Sequence, residues 1–471
     1  MTSIFKPMHN SWKVAKAERA AVLIDGENYF RAVRSSMAQA RQRVVLLGWD
    51  FDARIKMYDT QNDTDGPLEI GKYIDWLIER NPDLHVYILR WDTGAIKTLF
   101  RGSTLLTFFR WLVHPRIHLK LNDKHPEGAA THQKVITIDD DTAYCGGIDI
   151  TEDRWDTRSH AEDEPGRSQP GDNDAGPWHD ASIVAQGDAA RALATFAETR
   201  WELAGGRPIP PVTNSGDCWP EGLAADFENV ELAIARTEPQ MAEQDEVREI
   251  EGLYLDMIEA AEKYIYAESQ YFASSIIAKA ISNRLSEPEG PEVVIVNPAS
   301  SDGWLEAEAM DTTRARLIGA LLKAQGSSKF RIYHPVNEAG SAIYVHAKIL
   351  IIDDRIIKIG SSNMNNRSMG FDTECDIALD AVDNAKARSA IVHIRDSLLA
   401  EHLGTDAKHI SALLAETGSL IEAIGCCRSV GRTLRDYQFP DLNSVEEWLS
   451  EHDVLNEKDN DNQFAKLSLP F

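Results

Sequence analysis

Positive charge and cysteine are both scarce in this chain. Lys and Arg total 49 against 75 Asp and Glu, a formal net charge of −26 over 471 residues. Such a surface repels polyanions, which argues against a protein held to nucleic acid by phosphate contacts. A strongly anionic lipid surface is disfavoured for the same reason. A local basic pocket for a single phosphate remains compatible with it. The cysteines, Cys145, Cys218, Cys375, Cys426 and Cys427, are too few and too irregular for a disulfide framework, and no zinc-type spacing occurs. The adjacent Cys426 and Cys427 are read as inert. No apolar run approaches the roughly 18–20 residues that span a bilayer. The N-terminus, MTSIFKPMHNSWKVAKAERA, lacks the apolar segment of a secretory signal. A cytoplasmic, reducing compartment is the expectation, with export by a route without a cleaved signal as the alternative.

What is present is a soluble globular composition, 43% hydrophobic and 26% charged, long enough for two or three domains or one large fused unit. Residues 26–47 have helical spacing and run into a short buried strand. HVYILRW (85–91) and IHLKL (117–121) are further strands, with helical stretches at 70–80 and 105–114 between them. The order recurs at 249–272, followed by strands at 292–298 and 329–335. Strands alternating with helices at this spacing imply an α/β fold with a largely parallel sheet. Residues 163–177 read as a Gly/Pro/Asp loop and 205–220 as the connection between halves. The expected division is an N-terminal half, 1–215, a C-terminal half, 225–405, and an extension, 406–471, that is helical and ends in the acidic tail NEKDNDNQ (456–463).

A repeat carries the chemistry. THQKVITIDDDTAYCGGIDI (131–150) aligns with VHAKILIIDDRIIKIGSSNM (345–364). His132 pairs with His346, Lys134 with Lys348 and Asp139 with Asp353. Gly146 and Gly147 fall where Gly360 and Ser361 fall, and Asp149 where Asn363 falls. One His-x-Lys is a weak signal; two in the same strand–turn–strand frame are strong. Side chains alternate along a strand, so each His shares a face with its Lys. Asp139 and Asp353 turn to the other face and read as structural anchors of the turn through backbone hydrogen bonds. The Gly pairs allow close backbone approach.

Two such half-sites facing each other make one pocket. One imidazole can attack phosphorus while the other protonates the leaving oxygen, because histidine's ordinary pKa of about 6.5 permits either state near neutrality. Lys134, Lys348 and Asn363 would hold the non-bridging oxygens. No metal or other cofactor is required. An attacking histidine needs its far nitrogen held by a carboxylate, and Glu374 and Asp180 are the candidates. The alternatives are a surface acid at 374, flanked by Asp372 and Asp376, and His179 competing for the role of Asp180.

These residues resemble the phospholipase D superfamily, whose signature is a duplicated His-x-Lys-(four residues)-Asp. The likeness extends to GGIDITEDRWDT (146–157), PWHD (177–180), FAETRW (196–201), YIYAESQYF (264–272), GSSNMNNRSM (360–369) and RDSLLAEHLG (395–404). These look like segments of the phosphatidylcholine-cleaving enzymes of plants and animals, over roughly residues 20–405, in a compact bacterial-style form. The resemblance implies two similar α/β/α sandwich halves with mixed, mostly parallel sheets, related by a pseudo-two-fold axis with the active site between them. It also implies a ping-pong reaction. His132 would form a phosphohistidine, and His346 would protonate the leaving alcohol, then deprotonate water or a primary alcohol. In the family the carboxylate comes from the opposite half, so Glu374 would orient His132 and Asp180 would orient His346. Asp149 departs from the pattern: a carboxylate cannot donate to phosphate unless protonated, so it is excluded from the phosphate cradle.

The expected activity is head-group cleavage of phosphatidylcholine or phosphatidylethanolamine to phosphatidic acid, with transphosphatidylation to alcohols. The expected partner is phospholipid at a membrane or micelle surface, met by a monomer without an integral membrane segment and without nucleic acid. A cardiolipin-synthase-like phosphatidyltransferase is the alternative, ahead of a nuclease. LLTFFRWLVH (105–114), with TLF (98–100), reads as core packing in preference to an acyl-chain groove. Trp304 reads as a loop residue, and Arg154 and Trp155 as near the pocket without an assigned role.

Overall fold

The computed structural model describes residues 2–57, 65–91, 103–167, 175–242, 244–300 and 304–438. The first half supplies β1 (Lys13–Ile24), β2 (Arg43–Gly48), β3 (His85–Trp91), β4 (Ile117–Asn122), β5 (Val135–Ile138), β6 (Thr142–Gly146), β7 (Trp178–His179) and β8 (Ala181–Gly187). The second supplies β9 (Phe227–Glu238), β10 (Val247–Arg248), β11 (Tyr264–Glu268), β12 (Phe272–Ala273), β13 (Glu292–Val296), β14 (Phe330–Val336), β15 (Tyr344–Val345), β16 (Ile349–Ile352), β17 (Ile356–Gly360), β18 (Met364–Asn365), β19 (Glu374–Asp380) and β20 (Thr433–Asp436).

One 16-stranded sheet crosses the molecule in the order β20-β14-β13-β11-β16-β17-β19-β9-β1-β8-β6-β5-β2-β3-β4, with β10 paired to β9 off that path. Outward from the β1–β9 seam the halves correspond strand for strand: β1-β8-β6-β5-β2-β3-β4 against β9-β19-β17-β16-β11-β13-β14. The two expected halves are present, and their sheets are fused. β1 runs antiparallel to β9 from Lys13 opposite Ile234 to Ala20 opposite Phe227. The sheet is mixed. In the first half β1, β2, β3, β4 and β6 run one way and β5 and β8 the other. The motif hairpin turns β5 back on β6, and β8 lies antiparallel between β6 and β1.

Alternation along each strand builds the layers. Val44 and Leu46 of β2 pack with Val86 and Ile88 of β3 under the helices Asp25–Gln39 and Ile70–Arg80. Val45 and Leu47, one residue over, pack on the opposite face with Leu193 and Phe196 of the helix Asp188–Leu203. The second half repeats this. Ile265 and Val293 face the helices Glu249–Glu259 and Ser275–Leu285, and Tyr266 and Val294 face Ala385–Leu403. The core under Asp188–Leu203 and Ala385–Leu403 is continuous across the seam.

The helical expectations at 70–80 and 105–114 meet helices Ile70–Arg80 and Ser103–Leu112. The second is divided: Phe108 and Trp111 are core, whereas Leu106, Phe109, Leu112 and Val113 are exposed. Trp304 begins the helix Trp304–Lys323 and does not sit in a loop, because the helical pattern extends back to it. After residue 404, helices Ala407–Thr417 and Leu420–Cys427 pack beside the second half, and β20 adds to the outer edge of β14. Residues 98–100 and the acidic run 456–463 lie outside the described residues.

Candidate active site

Two short stretches of backbone pairing bring the halves together. β7 pairs in parallel with β15, Val345 opposite His179, and the His346 N–H donates to the His179 carbonyl at 2.7 Å. On the other side Thr131 bridges Thr373 in parallel, and the His132 N–H donates to the Thr373 carbonyl at 3.0 Å. Each motif histidine is therefore set beside the residue that follows its backbone partner, His179 or Thr373, in the opposite half. Those residues are Asp180 and Glu374. His132 Nδ1 lies 3.0 Å from both Glu374 oxygens, and His346 Nδ1 lies 2.7 Å from Asp180 Oδ2. Each histidine thus takes its carboxylate from the other half. His179 points elsewhere, and Glu374 is buried at 1% exposure and is no surface acid.

Both lysines reach back to their own histidine's backbone. Lys134 Nζ donates to the His132 carbonyl at 2.7 Å, and Lys348 Nζ to that of His346. Beyond this the halves differ. Lys134 is paired with Asp149 at 3.1 Å, so the carboxylate in that slot serves as the lysine's counter-ion. In the second half Asn363 Nδ2 donates to Gln270 Oε1 at 3.5 Å, and Lys348 Nζ reaches the same oxygen at 3.4 Å. Gln270, in the segment YIYAESQYF, was not singled out from sequence. Its signal was the position just past β11, the strand next to the motif strand β16. Ser361 and Ser368 Oγ both donate to Glu374, Ser368 at 2.7 Å. Ser368 was also missed.

The motif aspartates lie outside the pocket. Asp139 accepts from the N–H groups of Arg41, Gln42 and Arg43 at the head of β2. Asp353 accepts from those of Glu262, Lys263 and Tyr264 at the head of β11. Both have left-handed backbone, φ 49° and 53°, where Asp is better tolerated than most residues. They tie the hairpin turn to a neighbouring strand. The glycines are packed tight. A Cβ on Gly147 would lie 2.1 Å from Asp180 Oδ1, one on Gly146 2.2 Å from Ser182 Oγ, and one on Gly360 2.0 Å from Asp376 Oδ1. Arg154 stacks over Trp178, which stacks in turn on Tyr344 and leans on His346. Trp155 is buried in the first half's core.

Burial and positive neighbours set the protonation of the pocket. Burial first, then Lys134 and Lys348, hold His132 well below the ordinary imidazole value. Burial, then Lys348, Arg154 and Lys134, do the same to His346. Lysines from both halves thus act on both rings, which places the four groups in one electrostatic neighbourhood. Burial pushes Asp180 up to about 7 and Glu374 up to about 8, and it pushes Lys348 down to about 7. A buried cluster of bases with depressed affinity for protons is one that gains from an anion placed among them.

A sheet built from two matched halves, with paired His/Lys motifs at their junction, defines a class of two-lobed α/β folds with a basic site between the lobes. Residues 254–392 match the family model described as cardiolipin synthase, PLD-like domain. Over 82% of its length the chain is 23% identical to phospholipase D1 of Saccharomyces cerevisiae, of which it spans 29%. Over 88% it is 23% identical to phospholipase D alpha 4 of Arabidopsis thaliana, spanning 68% of that protein. The chain therefore covers less than a third of the yeast relative. The fold matches that of a phosphatidylserine synthase from Haemophilus influenzae Rd KW20 with a TM-score of 0.57 at 11% identity, over 94% of this chain and 95% of the other. Residues 254–392 thus resemble a PLD-like domain, and most of the chain is similar to phospholipases D. Among the described residues no helix is long and apolar enough to cross a membrane.

Proposed function

We propose that the chain is a glycerophospholipid phosphodiesterase that works through a phosphohistidine on His132. The observation that carries this is the crossed pairing of His132 with Glu374 and His346 with Asp180 around two lysines. With its Nδ1 proton directed at Glu374, His132 presents the Nε2 lone pair to phosphorus. The P–O bond to the head group breaks as the P–N bond forms, and His346 gives its proton to the leaving oxygen. His346 then takes a proton from water or an alcohol, whose oxygen attacks phosphorus and releases His132. Lys134, Lys348 and Asn363 hold the non-bridging oxygens, aided by Gln270. The substrate's negative charge offsets the lysine field, so binding itself favours the proton that His346 needs.

The substrate class follows from the resemblance to phospholipases D and from the charge of −26, which disfavours nucleic acid. The expected products from phosphatidylcholine or phosphatidylethanolamine are phosphatidic acid and, with ethanol present, phosphatidylethanol. Absence of both sinks the reading. The family model matched by residues 254–392 favours a second reading, transfer of a phosphatidyl group to another lipid alcohol. Cardiolipin formed from phosphatidylglycerol faster than hydrolysis would select it. In either case His132→Asn should abolish turnover. His346→Asn should accumulate a covalent phosphoenzyme from a substrate with a good leaving group, detectable by intact-protein mass spectrometry.

A further inference from the structure

His179 and Asp180 are consecutive, and their side chains serve different places. Asp180 meets His346; His179 enters a second cluster that the reaction does not use. That cluster joins Asp25, His160 and His179 of the first half to Glu401 of the second, with one ligand atom from each within 4.8 Å of the others. The three first-half residues are fully buried, and the Glu401 side chain is 2% exposed. His179 Nδ1 lies 3.0 Å from Asp25 Oδ1 and 2.9 Å from Glu401 Oε1. His160 Nε2 lies 2.9 Å from Glu401 Oε1 and 3.6 Å from Asp25 Oδ2.

Three further observations point inward to a ligand. First, His179 Nδ1 and Asp25 Oδ2 make no hydrogen bond although carboxylate or imidazole atoms crowd them. Both belong to the four residues that converge here. Second, the outer nitrogen of each ring is held by a carboxylate: His179 Nε2 meets Glu268 at 2.8 Å and His160 Nδ1 meets Asp156 at 2.9 Å. That is the support metal-bound imidazoles receive, and it leaves the inner nitrogen as the donor. The outer carboxylates are themselves anchored, Glu268 by His402 and Asp156 by Arg167. Third, the inner atoms stand 2.9–3.6 Å apart, against edges of roughly 3.3–3.6 Å in a tetrahedron with bonds of about 2.0–2.2 Å, so the side chains need open by only a few tenths of an ångström to surround an ion. Asp25 also has left-handed backbone, φ 65°, a local cost of the kind kept at functional positions.

We propose that Asp25, His160, His179 and Glu401 form a closed structural site for a divalent transition-metal ion, with zinc the best fit. Two imidazoles and two carboxylates are a donor set zinc accepts, and four ligands leave no open position for substrate. Two neutral imidazoles with two carboxylates and a doubly charged ion sum to zero charge, which suits so deep a location. The ion would fasten the second half to the first directly behind Asp180, whose N–H donates to Asp25 Oδ1 at 3.2 Å. No short-range spacing announces the site, because its members come from four distant segments.

The test uses the full chain, produced without a metal-affinity tag in zinc-supplemented medium. Elemental analysis after gel filtration should find one zinc ion per chain. Dipicolinate should remove it and lower the melting temperature, and added zinc chloride should restore both. His160→Gln and Glu401→Gln, if folded by circular dichroism, should lose the ion. X-ray absorption on the wild type should show a nitrogen/oxygen shell near 2.0–2.1 Å without sulfur. A wild type that carries no metal, and whose melting temperature is indifferent to chelator and zinc, overturns the proposal in favour of a proton-bridged cluster. Zinc retained undiminished by both folded variants overturns it as well. The wild-type measurements decide even if neither variant folds.

Discussion

His132 and His346 sit in a field that works against their own charge. Burial and Lys134 lower both rings below the ordinary value of 6.5. The proposed reaction needs His132 neutral and His346 protonated in the enzyme that meets substrate. When both pKa values are depressed, that combination is most populated on the acid side of 6.5. Removing the positive charge of Lys134 removes one lowering influence from each ring, so both limbs of the profile move to higher pH. We expect kcat/KM to peak below pH 6.5 and Lys134→Met, though much slower, to peak at higher pH; an unmoved or lower optimum would contradict the assignment. The motif residues were legible because they repeat, and repetition needs no knowledge of the fold. Gln270 and Ser368 were not, since neither belongs to the repeat and each acts through a contact made only after the second half has folded.

Among the elements, the flanking strands and helices were readable from period and composition, whereas the two central strands were not. KVAKAERAAVLI, the sequence of β1, is rich in Ala and carries Lys, Glu and Arg, all of which favour helix. Its place between β8 and β9 overrides that preference, as tertiary context commonly does for strands. The motif aspartates show the opposite case: their type and turn position were readable, but their partners lie in a different strand. Asp353 holds three successive N–H groups at the head of β11. Asp353→Ala should cost about 2–4 kcal/mol in urea unfolding, since charge-assisted bonds to backbone are each worth about 1.5–3 kcal/mol and are not additive. The helix Ser103–Leu112 offers a separate test. Leu106 and Phe109 are 72% and 59% exposed on it. If substrate is drawn from a bilayer, Leu106→Ser with Phe109→Ser should raise KM for vesicles while leaving short-chain soluble phospholipid unaffected; equal effects on both would assign the face to packing.

At the scale of the whole molecule, the antiparallel run of β1 against β9 and the core continuous beneath Asp188–Leu203 and Ala385–Leu403 hold the halves together without help from the connection at 205–226. A protease site inserted between Asn214 and Ser215, both exposed, should yield a nicked protein that elutes as one species and keeps its activity. Fragments that part without denaturant would show that the connection matters. The domain pattern was legible from the duplicated order of strands and helices, but fusion into a single sheet was not, because it depends on the two strands whose composition misleads.

The crossed carboxylates have a historical consequence. A chain carrying only one such half would own a histidine and an acid that cannot reach each other, and would complete both pairs only by docking on a second copy about a two-fold axis. Joining the copies in tandem releases them from having to be identical. Gly147 beside the short Asp180 and Ser361 beside the longer Glu374, like Asp149 against Asn363, are differences a symmetric dimer could not hold. Under the proposed mechanism, duplication is what would allow one histidine to be specialised for attack and its twin for carrying protons.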